Sequence, residues 1–261
     1  MKELTILTLF GGRWNTLDPF LKGLLNLDWP VKGLKFLWYT NAEKRFVECL
    51  KWQERFLSKR GYKIRLVEDG SLKCSALLHS EMGAQEERAQ EHVNVIAALY
   101  NAAWQHVETD DVVALEDDVV PPSHALRRFS SLLDRNPKAA LVSGCVFDRH
   151  RPDTFFVWEL TKAALSDGAV GFRYEMAPAK EPWGVRKVSA TGLSCAWIRR
   201  PRLPKELQVR FPFKVRNGLE GMSQFGGCDI VLCLETQHYG KEVWCDFDVR
   251  PYHVDSKGRI H

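Results

Sequence analysis

Three adjacent carboxylates follow a short apolar run that ends at Leu115, and two prolines come soon after them. Such a run is typical of a buried strand, which proline does not continue. Because buried charge needs a partner, a divalent cation that takes oxygen ligands and bridges to phosphates is the usual solution. In an extended chain residues i and i+2 point the same way, so Glu116 and Asp118 would face one pocket. The segment therefore predicts a metal–phosphate site, with a solvated acidic turn as the alternative.

The first half of the chain alternates between strand-like and helix-like patterns. Strands are predicted over Leu4–Phe10, Leu34–Thr40 and Tyr62–Glu68, and helices over Thr16–Leu27, Glu43–Arg60 and Glu86–Val107. This alternation is typical of a parallel α/β sheet, in which ligands gather at the carboxyl ends of strands. The acidic segment lies at such an end, so its position and its chemistry agree.

The second half of the chain is less regular. Helices are predicted over Ser123–Arg135 and Cys228–Tyr239, and strands over Ala139–Val146, Val188–Ile198 and Lys241–Tyr252. Several glycines and prolines between Asp148 and Arg186 favour loops and short strands there.

Length and composition restrict the class of protein. A chain of 261 residues fits one large α/β domain or two small lobes that share a core. The hydrophobic fraction of 45% and the charged fraction of 27% argue against disorder. A net charge of +4 permits an anionic substrate and does not require nucleic acid. The apolar run at the N-terminus resembles a strand and not a signal peptide, and no run is long enough to span a bilayer, so we expect a cytoplasmic protein without a membrane span.

The seven cysteines form no tightly spaced repeated pair. Reduced, buried thiols are the expectation for a cytosolic protein. A zinc site from Cys228, Cys233 and Cys245 with His238 or His253 is an alternative, although it lacks the close cysteine pairs of structural zinc sites.

Residues 199–216 contain seven basic side chains and one acid. The segment fits a solvated loop, or a flexible cover that binds a diphosphate or an anionic acceptor.

Three blocks, in this order, resemble the GT-A glycosyltransferases, specifically the family-2 group. They are the helix–strand pair Asn94–Trp104 and Val112–Asp118, the strand Thr191–Arg200, and the closing segment Gly227–His253. The resemblance covers about residues 4–255 and implies an α/β GT-A fold, with a Rossmann-like, mostly parallel central sheet flanked by helices. It further implies a single domain, residues 1–261, with a nucleotide-sugar-binding half at 1–118 and an acceptor-binding, catalytic half at 119–261.

The resemblance assigns roles to the acidic segment and to residues near the C-terminus. Asp118 would bind Mn²⁺ or Mg²⁺, and His253 would complete the metal and diphosphate site. Glu116 and Asp117 would help to bind the donor, with Glu116 contacting its ribose or metal-bound waters. If both lie behind the ligand, Asp118 is the only one of the three acids that contacts the metal. Asp229 would act as the catalytic base on the acceptor hydroxyl. From spacing alone, Asp229 also fits a helix N-cap and His253 a packed or surface histidine.

The remaining positions implied by the resemblance concern the nucleotide. Thr8, Phe10 and Arg13 follow or end the first strand, and Asn41 follows the second, where the family binds the nucleotide. The sequence also departs from the family pattern at three places. Cys228 replaces the usual glutamate before the base, Tyr100 replaces a frequent arginine, and Thr40-Asn41 replaces the aspartate that commonly holds the nucleobase.

The resemblance implies transfer of a sugar from a nucleotide-diphosphate-sugar donor to a hydroxyl acceptor, with inversion at the anomeric carbon. Two alternatives are also enzymes. One is a glycosyltransferase whose acceptor is nucleic acid. The other is a nucleotidyltransferase, whose glycine-rich, basic phosphate-binding loop is represented here only by the short segment Gly11-Gly12-Arg13. A third alternative is a sugar-binding or nucleic-acid-binding module that kept the fold without the chemistry.

Overall fold

A large central sheet organises the chain. The computed structural model describes residues 2–70, 86–148, 151–164, 170–178, 183–210, 227–255 and 257–259. The strands in chain order are β1 (Leu4–Phe10), β2 (Leu34–Thr40), β3 (Lys63–Glu68), β4 (Asp111–Leu115), β5 (Val119–Val120), β6 (Ala139–Gly144), β7 (Phe147–Asp148), β8 (Arg151–Ala164), β9 (Val170–Pro178), β10 (Val185–Lys187), β11 (Ala190–Thr191), β12 (Cys195–Arg199), β13 (Glu242–Asp246) and β14 (Tyr252–His253). The helices are α1 (Trp14–Leu25), α2 (Lys44–Ser58), α3 (Glu86–Trp104), α4 (Ala125–Arg135), α5 (Lys205–Val209) and α6 (Cys228–His238).

Eight strands form this sheet in the order β10-β13-β6-β12-β4-β1-β2-β3. The pairs β3–β2, β2–β1, β1–β4 and β6–β13 are parallel, whereas β12 is antiparallel to both of its neighbours and β10 is antiparallel to β13. Strands β1, β2, β3, β4, β6 and β13 therefore run one way, and only β12 and β10 run the other. The mostly parallel α/β sheet that the sequence predicts is confirmed.

Both faces of the sheet are covered, and β1 shows how its sequence serves both. Leu7 packs into the apolar cluster beneath α3 and α6, whereas Ile6 and Phe10 pack into the cluster beneath α1, α2 and α4. A strand that is buried on both faces is apolar throughout, as expected in a parallel sheet covered by helices. No helix in the described part of the chain has the length and apolarity needed to cross a membrane.

The region between residues 148 and 186 differs from the prediction of loops and short strands. Instead, β8 and β9 are strands of 14 and 9 residues that pair antiparallel. Pro152, Gly171 and Pro178 lie at or next to the ends of these strands, where a missing donor or a missing side chain does little harm. Two other predicted strands are each divided: residues 188–198 into β11 and β12, and residues 241–252 into β13 and the start of β14.

At the amino edge of the sheet, a buried acid is surrounded by donors. Asp111 is 1% exposed and accepts hydrogen bonds from Trp197 Nε1 (2.7 Å) and Arg199 Nε (3.0 Å). Lys2 Nζ lies 3.0 Å from its second oxygen, and Arg199 Nη1 also lies 2.9 Å from Asp134. The carboxylate is therefore bound on both oxygens by groups that belong to the fold.

Two more arginines of the basic segment bind backbone carbonyls. Arg200 donates to the oxygens of Val107 and Gln208, both at 2.8 Å. Arg202 Nη1 lies 2.7–2.8 Å from three carbonyl oxygens at the end of α4 and the start of β6. Arg199, Arg200 and Arg202 therefore hold elements together at the amino edge and are not part of a cover over a ligand. The basic residues Lys214 and Arg216 lie outside the described residues.

The six cysteines among the described residues are all free thiols, and Cys74 lies outside that part of the chain. Burial raises the pKa of Cys145, Cys195 and Cys233 to about 12. These thiols are therefore protonated and unreactive at neutral pH, as the sequence predicts for buried cysteines.

Candidate functional site

The three carboxylates lie in a tight turn directly after β4. The backbone N–H of Glu116 donates to the carbonyl oxygen of Ser194 (3.1 Å), and the N–H of Val119 donates back to the carbonyl oxygen of Glu116 (3.1 Å). The extended geometry assumed from the sequence is therefore absent from this turn. Glu116 and Asp118 nevertheless converge, because the turn brings both toward the segment that ends the chain.

Glu116, Asp118 and His253 each offer a ligand atom, and these atoms all lie within 4.8 Å of one another. Asp118 is fully buried and His253 is 5% exposed, while Glu116 is partly exposed. A two-stranded ladder of β5 and β14 sets this arrangement, with His253 opposite Val119. The N–H of Val254 also donates to the carbonyl oxygen of Asp118 (2.8 Å). Among the described residues, one group of acidic, histidine or cysteine side chains is arranged to hold a metal, and it is this one. The group contains no cysteine, so it differs from the zinc site considered from the sequence.

The ring of His253 is oriented by a backbone carbonyl. Its Nδ1 lies 2.9 Å from the carbonyl oxygen of Phe147. Because a carbonyl oxygen only accepts, Nδ1 carries the proton and Nε2 is the nitrogen that can coordinate a metal. Two carboxylates and one imidazole are donors that suit Mn²⁺, and the carboxylates also suit Mg²⁺. The residues present therefore fit a divalent cation.

The loop after β1 closes over the acidic turn. Gly12 has a φ of +87°, which favours glycine, and a Cβ there would also lie 3.2 Å from the side chain of Ala42. The N–H of Gly11 donates to Asp117 Oδ2 (3.0 Å). Arg13 forms an ion pair with Asp118, and its Nη2 lies 3.4 Å from Asp117 Oδ1. The loop thus supplies both a backbone donor and a guanidinium to the acids.

The electrostatics of the loop and the turn are coupled. Burial alone would lower the pKa of Arg13, but the charges of Asp117, Asp118 and Glu116 raise it above its ordinary value. Burial raises the pKa of Asp117, and the charge of Asp118 adds to this effect, while Arg13 opposes it. The site thus concentrates negative charge around the guanidinium of Arg13.

Asp229 lies in the first turn of α6, but the N-cap of that helix is Gly227. Asp229 Oδ1 accepts a hydrogen bond from the N–H of Ile230 (2.8 Å). The side chain is partly exposed, yet the surrounding protein buries it enough to raise its pKa to about 6. Two glycines border it: a Cβ on Gly227 would lie 2.4 Å from Oδ1, and one on Gly192 would lie 3.8 Å from Oδ2. Asp229 is therefore not the N-cap residue itself, although its Oδ1 binds one of the N–H groups in the first turn of the helix.

Tyr100 connects Asp229 with the acidic turn. Its side chain is buried, and burial raises its pKa well above the ordinary value, with further contributions from the charges of Glu116 and Asp229. Ser194 makes a second connection, because its carbonyl binds Glu116 and its hydroxyl oxygen lies beside Gly192. The metal-binding group and Asp229 therefore belong to one region at the carboxyl edge of the sheet.

The predicted nucleotide-binding residues divide into two groups. Arg13 and the partly exposed Asn41 lie directly after β1 and β2 at the carboxyl edge. Thr8 and Phe10 are buried in the core. The ring of Phe10 packs with centroid distances of 5.5–6.2 Å against Phe20, Trp38 and Phe46. The structure therefore places Arg13 in the candidate site and Asn41 at the same edge of the sheet, and it buries the side chains of Thr8 and Phe10 beneath that edge.

One polar pair at the same edge was missed by the sequence reasoning. The hydroxyl of Tyr39 donates to Asp69, and burial together with this carboxylate raises the pKa of Tyr39. Tyr39 is near the end of β2, and Asp69 follows β3 directly. The sequence contains a signal for this pair. Asp69-Gly70 follows one strand directly, and Tyr39 lies near the end of the neighbouring strand.

No known protein family matches the sequence, and no curated protein matches it. Solved structures do match. The mannosyltransferase PcManGT from Pyrobaculum calidifontis, in complex with GDP-Man and Mn²⁺, aligns over 98% of this chain and 58% of its own, with a TM-score of 0.59 and 15% identity. S. aureus TarS 1-349, in complex with UDP-GlcNAc, aligns over 95% of this chain and 57% of its own, with a TM-score of 0.55 and 10% identity. The chain thus spans less than two thirds of the length of these proteins. It has the α/β fold of the GT-A-type glycosyltransferases, which confirms the predicted fold class.

Proposed function

We propose that the protein is a metal-dependent glycosyltransferase that moves a sugar from a nucleotide-diphosphate-sugar donor to an acceptor hydroxyl. The observation that carries the proposal is the convergence of Glu116, Asp118 and His253 within 4.8 Å at the carboxyl edge of a GT-A-type sheet. Ligands of open α/β sheets bind at this edge. The complexes of similar structures with GDP-Man and Mn²⁺ or with UDP-GlcNAc support the donor class and the metal.

In this proposal Asp118, Glu116 and Nε2 of His253 hold Mn²⁺ or Mg²⁺. When bound, the cation neutralises the negative charge of the diphosphate leaving group. Arg13 and Asn41 lie on the donor side of the site, within the proposed nucleotide-sugar-binding half, residues 1–118. Residues 119–261 then form the acceptor-binding half, to which Asp229 and His253 belong.

Asp229 is the proposed catalytic base. The acceptor oxygen bonds to the anomeric carbon while the bond from that carbon to the diphosphate oxygen breaks, and the hydroxyl proton passes to the Asp229 carboxylate. The electron pair of the broken bond leaves with the nucleotide diphosphate. A pKa of about 6 suits this role, because the carboxylate is ionised at neutral pH yet more basic than an ordinary aspartate. Attack opposite the leaving group inverts the anomeric configuration.

The basic segment that motivated nucleic acid as acceptor or partner is accounted for only in part. Three of its seven basic residues, Arg199, Arg200 and Arg202, bind the protein itself at the opposite edge of the sheet, so these three do not support those alternatives. The nucleotidyltransferase alternative depended on Gly11-Gly12-Arg13 as a phosphate loop. In the structure the Gly11 N–H binds Asp117 instead, so that donor is used within the protein.

The test is thermal unfolding of the protein with UDP, GDP, UDP-GlcNAc and GDP-mannose, each with Mn²⁺, with Mg²⁺ or with EDTA. We expect one nucleotide to stabilise the protein in a metal-dependent manner, by about 2.7 kcal/mol at a hundredfold excess over Kd. Asp118→Ala should abolish this effect. Asp110→Ala, which changes an exposed aspartate at the opposite end of β4, is the matched control and should retain it.

Two results would contradict the proposal. One is the absence of any stabilisation by these nucleotides with either metal. The other is an unchanged response in Asp118→Ala, which would mean that the nucleotide binds without the acidic turn.

A further inference from the structure

Arg13 occupies the position of a cation within the acidic turn. Its Nη1 contacts Asp118, and its Nη2 lies 3.4 Å from Asp117 Oδ1. The side chain of Asp118 is fully buried, whereas that of Arg13 is 25% exposed. The guanidinium is therefore the more exposed partner of this ion pair.

The carboxylate that Arg13 binds also belongs to the metal-binding group with Glu116 and His253. A divalent cation at this group would place a second positive charge beside the same buried carboxylate. Like charges at contact distance repel strongly where water is excluded. Arg13 and a metal are therefore competitors for Asp118.

Arg13 has a donor available for a new partner. Its Nε is buried, and none of the described residues accepts a hydrogen bond from it. A guanidinium presents several N–H donors in a planar fork that fits the oxygens of a phosphate. The backbone of Arg13 is fixed at the start of α1, where its carbonyl accepts from Thr16 Oγ1 (3.1 Å). Only the side chain needs to move for the guanidinium to reach a nearby anion.

We propose that Arg13 serves as an internal cation for the acidic turn: a metal would displace its guanidinium from Asp118, and the guanidinium would then bind the diphosphate. This inference rests on the proposed function. Without metal, Arg13 neutralises Asp117 and Asp118. When the metal binds Asp118, the guanidinium leaves that carboxylate and binds the diphosphate of the donor. The metal and the diphosphate then bind cooperatively, because each favours the same position of Arg13.

The first measurement is the affinity of the protein for Mn²⁺ alone, by electron paramagnetic resonance of free Mn²⁺, in wild type, Arg13→Ala and Arg65→Ala. Arg65 is an exposed arginine paired with Glu108 and serves as the matched control. We expect Arg13→Ala to bind Mn²⁺ about tenfold to hundredfold more tightly than wild type, the range for one hydrogen bond between charged groups. Arg65→Ala should match wild type. Equal affinities of wild type and Arg13→Ala would overturn the proposal.

The second measurement adds UDP or GDP in the presence of saturating Mn²⁺. Despite its tighter metal binding, Arg13→Ala should bind the diphosphate at least about tenfold more weakly than wild type. Unchanged diphosphate affinity would overturn the transfer of Arg13 to the donor. If Arg13→Ala does not fold without metal, Arg13→Gln removes the charge but keeps a polar side chain, and we expect changes in the same directions.

These outcomes separate the inference from the proposed function. In one outcome Arg13→Ala binds Mn²⁺ more tightly, but wild type binds no nucleotide or nucleotide sugar. This would support competition between Arg13 and the metal for Asp118 and contradict the glycosyltransferase. Nucleotide binding that depends on Mn²⁺ and Asp118, with equal Mn²⁺ affinities in wild type and Arg13→Ala, would support the enzyme and overturn the role of Arg13.

Discussion

The two ends of β4 carry buried aspartates in opposite situations. Asp111, at the amino end, is bound on both oxygens by Trp197, Arg199 and Lys2. At the carboxyl end, Asp117 and Asp118 share the guanidinium of Arg13, and Asp118 also belongs to the group of side chains that could hold a metal. Burial alone therefore does not distinguish an acid that stabilises the fold from one that serves a ligand, whereas the partners of its oxygens do.

The strongest test of this distinction concerns Asp229, which lies at the carboxyl edge and has few fixed partners. Asp229→Asn should reduce sugar transfer by about 10²–10⁴-fold, because an amide cannot accept the acceptor proton. The dissociation constant of the nucleotide identified in the thermal screen should stay within about twofold of the wild-type value, because Asp229 acts on the acceptor and not on the nucleotide. Initial rates and calorimetric titration check the two expectations.

Asp110→Asn, at the opposite edge, is the control and should transfer sugar normally. Near-normal turnover by Asp229→Asn would remove Asp229 from the mechanism and leave the carboxyl edge as a binding site only.

The second test replaces one aspartate at each end of β4. Asp111→Ala should lower the free energy of unfolding by about 3–5 kcal/mol, because it leaves the buried charge of Arg199 with the exposed Asp134 alone. Asp118→Ala should cost clearly less than Asp111→Ala, since Arg13 keeps Asp117 and the repulsion among the acids falls. Urea unfolding of both variants without metal gives the values. Similar losses of unfolding free energy in Asp111→Ala and Asp118→Ala would contradict the distinction between a fold-stabilising acid and a ligand-binding acid.

The smallest expected effect is the dependence on pH. Because burial raises the pKa of Asp229 to about 6, transfer should fall about tenfold for each pH unit below that value. The sign for stability is opposite. The folded state holds the Asp229 proton more tightly than the unfolded chain, so stability from this group is greatest below about pH 4 and is lost as pH rises to about 6.

Asp229→Asn removes this titration. The variant should therefore gain stability relative to wild type between about pH 4 and 6 and keep a constant advantage above that range. A difference that does not change with pH in urea unfolding would show that the pKa of Asp229 is ordinary.

Much of the fold could be predicted because its signals are local. The β1 and β2 bounds agree with the structure residue by residue, and the helices in the first half agree within a few residues. Apolar runs and helical spacing depend on burial of nearby side chains, so a short window of sequence contains the information. The long strands β8 and β9 were missed because Pro152, Gly171 and Pro178 were treated as breakers, whereas they lie at strand ends.

The site was predictable in its residue types and not in its contacts. The charge cluster and its place after a strand predicted that Glu116 and Asp118 face one metal–phosphate pocket, with Asp118 as the metal ligand. The pairing of Arg13 with Asp118 joins residues 105 positions apart, and it depends on which strands are neighbours and on the turn at Gly12. Thr8 and Phe10 are buried because the side chains of β1 pack into the core on both faces of the sheet. A family resemblance indicates the strand but not the environment of each side chain.

The buried, protonated thiol of Cys228 makes chemical labelling a probe of motion. Cys228 directly precedes Asp229, and burial raises the pKa of its thiol well above the ordinary value. A maleimide or similar reagent therefore reacts with Cys228 only when the amino end of α6 opens toward solvent. The rate of labelling at this cysteine measures how often the helix that presents Asp229 leaves its packed position, and its suppression by a bound substrate reports closure of the same region.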